Sequence, residues 1–258
     1  MTDRKLLPGK FVWFELVSRD AKKAQAFYGE VLGWKAVPFP MGDFSYEMIY
    51  AGDTMIGGYA APRSDRQPSH WISYVSVEDV DATAKAATAN AGKVVEAPSE
   101  IPGVGRKARI ADPQGAEVSL FKNATGDPAD GLAPPGRWVW NELHTSDPTK
   151  ALSFYEKVLG FSSRSMDVGP GGTYHILSRG GVDRGGVTSH LAAGVPPHWL
   201  PYVGVDDADG TIARAKRLGA RIPFSPEDIP GVGRIGVLED PTGAVFAIIK
   251  PLPLEKPR

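Results

Sequence analysis

The stretch FVWFELVSRDAKKAQAFYGEVLGW, residues 11–34, decides the fold because it returns as WVWNELHTSDPTKALSFYEKVLGF at residues 138–161. Twelve of the 24 aligned positions are identical. Two further blocks return at nearly the same offset: SHWISYVSVEDVDAT from 69–83 at 197–211, and IPGVGRKARIADPQGAEVSLFK from 101–122 at 229–250. A repeat of this extent indicates a duplicated domain, and it is stronger evidence for the fold than any single motif.

The repeat divides the chain into two predicted domains, residues 1–122 and 137–258. The stretch between them, NATGDPADGLAPPG at 123–136, is rich in Pro, Gly, Ala and Asp and has no periodic apolar pattern, which is typical of a linker. A fainter repeat lies inside each half, because aligning Asp20 with Asp79 also aligns Gly33 with Gly92. The sequence therefore predicts four related modules.

Each module is predicted to be one strand, one helix and three strands. Residues 11–17 are rich in aromatic and β-branched side chains, as in a buried strand. Asp20 is placed to cap the start of a helix, and Gly33 to end it. Short strands follow, and the DPQGA and DPTGA segments, which begin at Asp112 and Asp240, predict hairpin turns with no further role. This pattern gives an α+β fold of four βαβββ modules.

Composition limits the function. The 258 residues are 42% hydrophobic and 23% charged, enough for two cores, and the formal net charge is −1. The basic residues are spread evenly, so neither nucleic acid nor an anionic membrane is an expected partner. No apolar run is long enough for a membrane span or a leader peptide. The absence of cysteine excludes disulfides and thiolate chemistry, and we expect a cytoplasmic protein.

The doubled βαβββ unit, the helix ending FYxxVLG, the HWxxYVxVxD strand and the DPxGA hairpin together resemble the vicinal oxygen chelate superfamily. This superfamily includes glyoxalase I, extradiol dioxygenases and bleomycin resistance proteins. The resemblance extends over about residues 10–250, and the IPGVGR segment in both halves is similar to a two-domain, glyoxalase-like mycobacterial antigen family. It implies two cup-shaped domains, with His, Glu or similar metal ligands on the inner wall in catalytic members, although one fold serves many functions.

The ligand positions that the resemblance implies hold no set of metal-binding side chains. They fall on Trp13, Ile72, Ser119 and Gly57 in the first half, and on Trp140, Leu200, Ala247 and Gly185 or Gly186 in the second. Imidazole, carboxylate and thiolate groups are the usual ligands of catalytic zinc, and none stands at these positions. We therefore predict no metal and no cofactor.

The predicted cup walls combine aromatic rings with a few polar groups, since alternate residues of a strand share one face. The predicted ligand-binding residues are Trp13, Glu15, His70, Tyr74, Ser119, Trp138, Trp140, Glu142, His144, His198 and Tyr202. Such walls suit a partly hydrophobic molecule with one or two polar handles. The second half has His144 where the first has Val17, so if only one cup is active we expect Glu142, His144, His198 and Tyr202 to matter more than their counterparts in the first half.

Three functions remain open. The preferred one is metal-independent binding of a small, partly hydrophobic metabolite or xenobiotic. The alternative is an enzyme of glyoxalase, dioxygenase or hydroxylase type, with an atypical metal site or an acid–base pair of Glu142 with His144 or His198. The third is a non-catalytic interaction scaffold. The expected partner is a small-molecule ligand, and the chain is expected to be a monomer acting as a pseudo-dimer, or a homodimer.

The IPGVGR segments allow two interpretations. They precede a strand, whereas phosphate-binding glycine loops open a helix, so a plain connecting turn is favoured. The alternative is a loop at the cup mouth that offers Arg106 and Arg234 to an anionic group.

Overall fold

The computed structural model of the chain describes residues 5–42, 44–168 and 172–253. Within these residues one order of elements occurs four times, a strand followed by a helix and three strands. The helices are α1 (Ala21–Leu32), α2 (Val80–Ala89), α3 (Pro148–Leu159) and α4 (Ala208–Arg217). The predicted α+β fold of four βαβββ modules is confirmed.

The strands of the first half are β1 (Phe11–Val17), β2 (Lys35–Met41), β3 (Phe44–Ala51), β4 (Thr54–Ala60), β5 (His70–Ser76), β6 (Lys93–Ile101), β7 (Gly105–Ala111) and β8 (Glu117–Asn123). Those of the second half are β9 (Trp138–His144), β10 (Ser162–Asp167), β11 (Thr173–Arg179), β12 (Val182–Thr188), β13 (His198–Gly204), β14 (Arg221–Ile229), β15 (Gly233–Glu239) and β16 (Val245–Pro251). Equivalent strands in the two halves differ little in length.

The helix ends follow the chemistry predicted for them. The Asp20 carboxylate accepts a hydrogen bond from the Lys23 backbone N–H, which satisfies one of the free donors of the first turn of α1. Gly33 ends the same helix in the left-handed conformation, with φ at 70°, which costs a residue without a Cβ least. The other three helices begin at Asp79, Asp147 and Asp207 with the same type of bond.

The strands form two eight-stranded sheets with the orders β2-β3-β4-β1-β5-β8-β7-β6 and β10-β11-β12-β9-β13-β16-β15-β14. In every module the first strand runs parallel to the last, and the three strands after the helix form an antiparallel meander. The register is also repeated, because Tyr74 lies opposite Ser119 and Tyr202 lies opposite Ala247. Corresponding positions of the two halves can therefore be compared residue by residue.

The modules group into two compact units, and each unit takes one module from each half of the sequence. The first unit consists mainly of Ile72–Gly131 and Trp140–Leu200, and α2 packs on α3 within it. The second consists mainly of Phe14–Trp71 and the chain from Pro201 onward, and α1 packs on α4. The compact units are thus a different division of the chain from the predicted domains 1–122 and 137–258.

In the second unit a chain of hydrogen bonds joins three repeated motifs. Trp71 Nε1 donates to the Tyr28 hydroxyl at 3.0 Å, and that hydroxyl donates to Asp240 Oδ2 at 2.9 Å. All three side chains are buried, and burial followed by the charge of Asp240 raises the pKa of Tyr28 well above its usual value. Tyr28 therefore stays protonated and remains the donor.

The first unit contains the equivalent chain. Trp199 Nε1 donates to the Tyr155 hydroxyl at 3.0 Å, and Tyr155 contacts Asp112 Oδ2 at 3.3 Å. Asp112 and Asp240 also accept backbone N–H groups in their turns, as predicted for DPxGA hairpins. The expectation that these turns have no further role was wrong, because each Asp also binds a tyrosine hydroxyl from the other half of the sequence.

The stretch between the repeats is held in place by its acidic residues. Asp127 Oδ2 accepts hydrogen bonds from the Leu7 backbone N–H at 2.6 Å and from Ser76 Oγ at 2.5 Å. Asp130 forms ion pairs with Arg184 and with Lys10, at 2.6 and 3.1 Å. The stretch from 124 to 136 contains turns but neither helix nor strand, and these contacts fix the path of residues 124–131, the part that belongs to the first unit.

Candidate functional site

The predicted metal-ligand positions lie on the strands to which the sequence assigned them, and their side chains do not fit a metal. Ile72 and Leu200 are each 3% exposed, and Ser119 and Ala247 lie opposite Tyr74 and Tyr202. Among the residues that the structure describes, no group of three or more His, Asp or Glu side chains is placed to hold a metal ion. The donors required for a catalytic metal site are therefore not assembled.

A tyrosine–glutamate pair occupies the first module of each half. The Tyr46 hydroxyl donates to Glu15 Oε1 at 2.9 Å, and Glu15 is 7% exposed. In the second half Tyr174 hydrogen-bonds to Glu142, which is 9% exposed. A buried carboxylate is costly without a partner, and the tyrosine supplies that partner in both cases.

Glycines make these pairs possible. Gly58 lies beside Glu15 in the parallel pair of strands, and Gly186 lies beside Glu142. A Cβ at either glycine would overlap the hydroxyl and the ring of the neighbouring tyrosine. Because each glycine has no side chain, the tyrosine ring can cross the last strand of the module and reach the carboxylate. Sequence reasoning missed both tyrosines, although Tyr46 and Tyr174 are equivalent residues 128 positions apart.

The second half adds further groups to its pair. Trp140 Nε1 donates to the Tyr174 hydroxyl at 2.9 Å. Burial, followed by the charge of Glu142, raises the pKa of Tyr174 well above its usual value, so that the hydroxyl stays protonated. The hydroxyl thus accepts from Trp140 and donates to Glu142.

His144 lies between two acceptors. Its Nε2 is 2.8 Å from Glu142 Oε1, and its Nδ1 is 2.5 Å from the backbone oxygen of His190. A neutral imidazole carries only one N–H, so both contacts are favourable only when both ring nitrogens are protonated. Burial alone would lower the pKa of His144, but the close contact with the negatively charged Glu142, with the His190 oxygen, raises it. The Nε2 contact is a close ion pair rather than an aligned hydrogen bond.

His198 stacks on His144, with ring centroids 5.2 Å apart and an interplanar angle of 12°. Its Nδ1 donates to the Pro196 backbone oxygen at 2.9 Å. Burial and then the charge of His144 lower the pKa of His198, partly offset by Pro196 and Glu142. We call the five residues Trp140, Glu142, His144, Tyr174 and His198 the Glu142 cluster. Except for Glu142 its members are half-buried, so it borders solvent and offers aromatic surface, an ion pair and a neutral imidazole to a ligand.

The remaining predicted site residues lie in other surroundings. Trp138 donates from Nε1 to the Ile56 backbone oxygen at 3.0 Å, and its ring stacks on Phe14 at 4.5 Å. Tyr202 is 6% exposed and belongs to the second compact unit, whereas the Glu142 cluster belongs to the first. The structure thus brings Glu142, His144 and His198 together within the first unit.

The predicted site residues of the first half are distributed over both compact units. Trp13 is half-buried on β1, and His70 Nδ1 lies 2.8 Å from the Pro68 backbone oxygen. Tyr74 is 4% exposed and meets the Phe121 ring edge-on at 6.1 Å. Ser119 is 1% exposed and accepts a hydrogen bond from Arg109 Nε at 3.3 Å.

Sequence reasoning also missed Arg109. It is 3% exposed, and its guanidinium lies 3.5 Å from Glu96 and 3.8 Å from Glu117. These three residues and Ser119 form a charged wall on β6, β7 and β8. The equivalent residues on β14, β15 and β16, at the same pairing positions, are Phe224, Val237, Val245 and Ala247.

The arginines of the IPGVGR segments are engaged elsewhere. Arg106 pairs with Asp81 at 2.5 Å and with Glu100 at 3.1 Å, and Arg234 pairs with Asp209 at 2.7 Å. Each arginine ties the turn to the first turn of the neighbouring helix, which supports the interpretation of a connecting turn.

The fold defines a duplicated βαβββ protein with two eight-stranded sheets, and comparison with known sequences identifies the family. The profile of the Glyoxalase/Bleomycin resistance protein/Dioxygenase superfamily matches residues 10–120 and again 139–248. The chain belongs to this superfamily, as its sequence motifs predicted. In the part of the chain that the structure describes, no helix is both long and apolar enough to cross a membrane.

Two groups of relatives match over nearly the whole chain. CFP32 of Mycobacterium bovis and Mycobacterium tuberculosis, provisionally named a glyoxylase, is 37% identical over 248 residues, which cover 93% of this chain and 94% of the relative. The anthracycline biosynthesis protein DnrV of Streptomyces peucetius is 31% identical over 264 residues, with 94% of each chain covered. Both share the two-domain length of this protein.

Solved structures share the fold at lower identity. The Mn(II)-bound glyoxalase of Novosphingobium aromaticivorans superposes with a TM-score of 0.65 at 20% identity, covering 95% of this chain and 83% of the other. The 2,3-dioxygenase LapB of Pseudomonas sp. KL28 superposes with a TM-score of 0.61 at 15% identity, covering 100% and 98%. At such identities these likenesses establish the fold alone.

Proposed function

We propose that this protein binds a small, partly hydrophobic, ring-bearing molecule at the Glu142 cluster, without the metal used by catalytic members of its superfamily. The main observation in support of the proposal is that β9 carries an aromatic side chain at the position where a metal ligand is expected. Trp140 stands where a metal ligand is expected, and its indole is bonded to the Tyr174–Glu142 pair. Aromatic surface beside a few fixed polar groups is the usual composition of a small-molecule site.

The relatives support this class of ligand. DnrV and its homologue DauV of Streptomyces sp. strain C5 are named for anthracycline biosynthesis, and anthracyclines contain fused aromatic rings. We therefore expect a planar ring system among the ligands of this chain, held by Trp140 and oriented by the polar groups of the cluster.

The first test is metal analysis of the purified protein after dialysis against a chelator. We expect less than stoichiometric Fe, Zn, Ni and Mn. One equivalent of any of these metals, retained through dialysis, would overturn metal-independent binding.

The second test measures binding of 2-methoxynaphthalene, a ring-bearing probe, by ligand-observed NMR. We expect saturable binding that is weakened about tenfold in Trp140→Ala, because the loss of an aromatic contact and its buried area costs about 1–2 kcal/mol. Phe39→Ala is the matched control, since it removes an aromatic ring that is 42% exposed on β2 and should leave affinity unchanged. Equal affinity in the wild type and Trp140→Ala would place the site elsewhere.

The contact between Glu142 and His144 supports a second candidate, a lyase of glyoxalase type that uses this pair for proton transfer. The two groups are 2.8 Å apart and border solvent, which suits acid–base chemistry. Turnover of a hemithioacetal by metal-free protein, abolished in Glu142→Gln, would favour this candidate over binding alone.

A further inference from the structure

One ring nitrogen of His198, Nδ1, has a defined hydrogen-bond partner. The surroundings of the other, Nε2, differ from those of the equivalent histidine in the first half. The Nδ1 of His198 lies 2.9 Å from the Pro196 carbonyl oxygen, which can only accept, so Nδ1 carries the proton. In the neutral ring Nε2 then carries the lone pair. This tautomer is fixed by the backbone of the segment that leads into β13.

The equivalent histidine of the first half shows what has changed. His70 Nδ1 makes the same contact with Pro68, but the amide nitrogen of Gln67 stands 3.5 Å from His70 Nε2. The residue equivalent to Gln67 is Val195, an apolar side chain that is 40% exposed. The second half has thus replaced an amide donor near this nitrogen by a side chain that cannot donate.

The neighbours of His198 keep its ring neutral. The parallel His144 ring lies 5.2 Å away and is held as a cation between Glu142 and the His190 oxygen. A second positive charge on the stacked ring would be repelled at this distance. The titratable groups around His198 are His144 and Glu142 on β9, with Tyr174 on β11 bonded to Glu142. The first half has Val17 in place of His144 and so lacks this arrangement.

We propose that Nε2 of His198 is the hydrogen-bond acceptor for an acidic hydroxyl of the ligand, of the phenol or enol class. This assignment rests on the proposed binding function and names the polar handle that the Glu142 cluster recognises. A phenol or enol hydroxyl is a strong donor to a neutral imidazole, and the cationic His144 ring stabilises the negative charge that builds up on the ligand oxygen. The Tyr174 hydroxyl is already bonded to Trp140 and Glu142, so His198 provides the acceptor.

The test compares 2-naphthol with 2-methoxynaphthalene, which has the same ring system without the hydroxyl proton. At pH 7 we expect 2-naphthol to bind the wild-type protein about tenfold more tightly, the effect of one hydrogen bond to a half-buried acceptor. His198→Phe should remove this preference, so that 2-naphthol and 2-methoxynaphthalene bind the variant with affinities within about twofold of each other. His198→Gln, which restores an acceptor oxygen, should recover part of the preference. His175→Phe changes a histidine outside the cluster and should alter neither affinity.

The outcomes separate this assignment from the proposed function. If both probes bind the wild-type protein equally, or if His198→Phe keeps the full preference for 2-naphthol, then His198 is not the acceptor although the binding site stands. If neither probe binds, the binding function fails and the assignment fails with it. Near-ultraviolet circular dichroism of each variant shows whether the fold is retained. The comparison of the two probes in the wild type needs no variant, so it remains decisive even if a variant does not fold.

Discussion

The two halves of this protein have the same strand register but differ in which module carries the charged side chains that the other half lacks. In the first half the charges lie on β6, β7 and β8, where Arg109 is buried among Glu96, Glu117 and Ser119. In the second half the same positions are apolar, and the charges lie on β9, where His144 pairs with Glu142. The fold thus needs neither group in order to form, and the difference shows where the two halves have diverged.

What the halves share is equally informative. Both keep a tyrosine bonded to a buried glutamate across a glycine, and both keep a tryptophan, a tyrosine and a turn aspartate in one chain of hydrogen bonds. Features that both halves keep at equivalent positions, although the halves have diverged elsewhere, belong to the common fold. We therefore expect substitutions of shared features to affect stability in both halves, and substitutions of unshared features to affect only one.

The largest effect is expected for Arg109→Val, which introduces the residue of the second half, Val237. Removal of the guanidinium leaves Glu96 and Glu117 beside an apolar wall, and breaking a buried ion pair costs about 3–5 kcal/mol. Because the two glutamates are 27% and 36% exposed, we expect a smaller loss, about 2–3 kcal/mol in the free energy of unfolding. Denaturant unfolding measures it.

The matched control replaces the whole wall by its counterpart. Glu96→Phe, Arg109→Val, Glu117→Val and Ser119→Ala together reproduce the residues of β14, β15 and β16. Replacing an ion cluster by apolar side chains is often neutral, so the combined variant should recover at least about half of the loss. A combined variant less stable than Arg109→Val would show that the two walls are not equivalent.

Gly186→Ala is expected to destabilise the protein by about 2 kcal/mol, because the added Cβ overlaps the Tyr174 hydroxyl and forces the ring away from Glu142. Gly58→Ala should cost a similar amount through Tyr46. Gly29→Ala provides the opposite sign, since Gly29 lies inside α1 with space for a Cβ, and alanine there should stabilise the helix by about 0.5–1 kcal/mol. Thermal unfolding distinguishes the three, and a stable Gly186→Ala protein would contradict the shared tyrosine–glutamate pair.

Tyr28→Phe and Tyr155→Phe should each cost about 1–2 kcal/mol, because a buried indole N–H and a buried carboxylate lose their shared partner. The loss should be larger for Tyr28, whose contact with Asp240 is 2.9 Å, than for Tyr155, whose contact with Asp112 is 3.3 Å. Chemical denaturation of both variants decides the order. Tyr50→Phe, at a half-buried position on β3, serves as the control for loss of a hydroxyl alone.

The smallest effect concerns protonation. His144→Val introduces the residue of the first half and removes the cation stacked on His198, so the pKa of His198 should rise toward its ordinary value of 6.5. Nuclear magnetic resonance titration of the histidine side chains measures this change. A pKa of His198 that stays constant or falls in His144→Val would show that burial alone depresses it.

The same two histidines give opposite dependences of stability on pH. The folded-state pKa of His144 is raised, so its contribution is present below pH 6.5 and is lost as the pH rises through the folded pKa. The folded-state pKa of His198 is lowered, so its contribution is present above pH 6.5 and is lost as the pH falls through the folded value. Unfolding measured across this range should therefore change more steeply with pH in His198→Phe, which keeps only the contribution of His144, than in the wild type.

Most of the fold could be predicted from the sequence, because the information is local and repeated. Aspartate caps, left-handed glycines and apolar spacing placed α1 between Asp20 and Gly33, where the structure has it. The grouping of modules could not be predicted, since one repeat can pack against any of its copies and the deciding contacts, such as Tyr28 with Asp240, join residues 212 positions apart.

The candidate site was predicted in part. The strand register placed Glu142 and His144 on one face, and the duplicated HW motif drew attention to His198. Tyr174 was missed because its role depends on the empty space above Gly186, and a glycine in a strand gives no sign of which ring will cross it. Arg109 was missed because nothing in its local pattern distinguishes a buried arginine from an exposed one.

The reciprocal tyrosine–aspartate contacts have a consequence for how such a gene can change. Tyr28 of the first repeat depends on Asp240 of the second, and Tyr155 of the second depends on Asp112 of the first. A mutation in either turn is therefore felt by a helix encoded in the other repeat, so selection on one copy constrains the other. At β6–β8 and β14–β16 the two copies differ instead, with charged side chains on the first set of strands and apolar side chains at the same positions of the second.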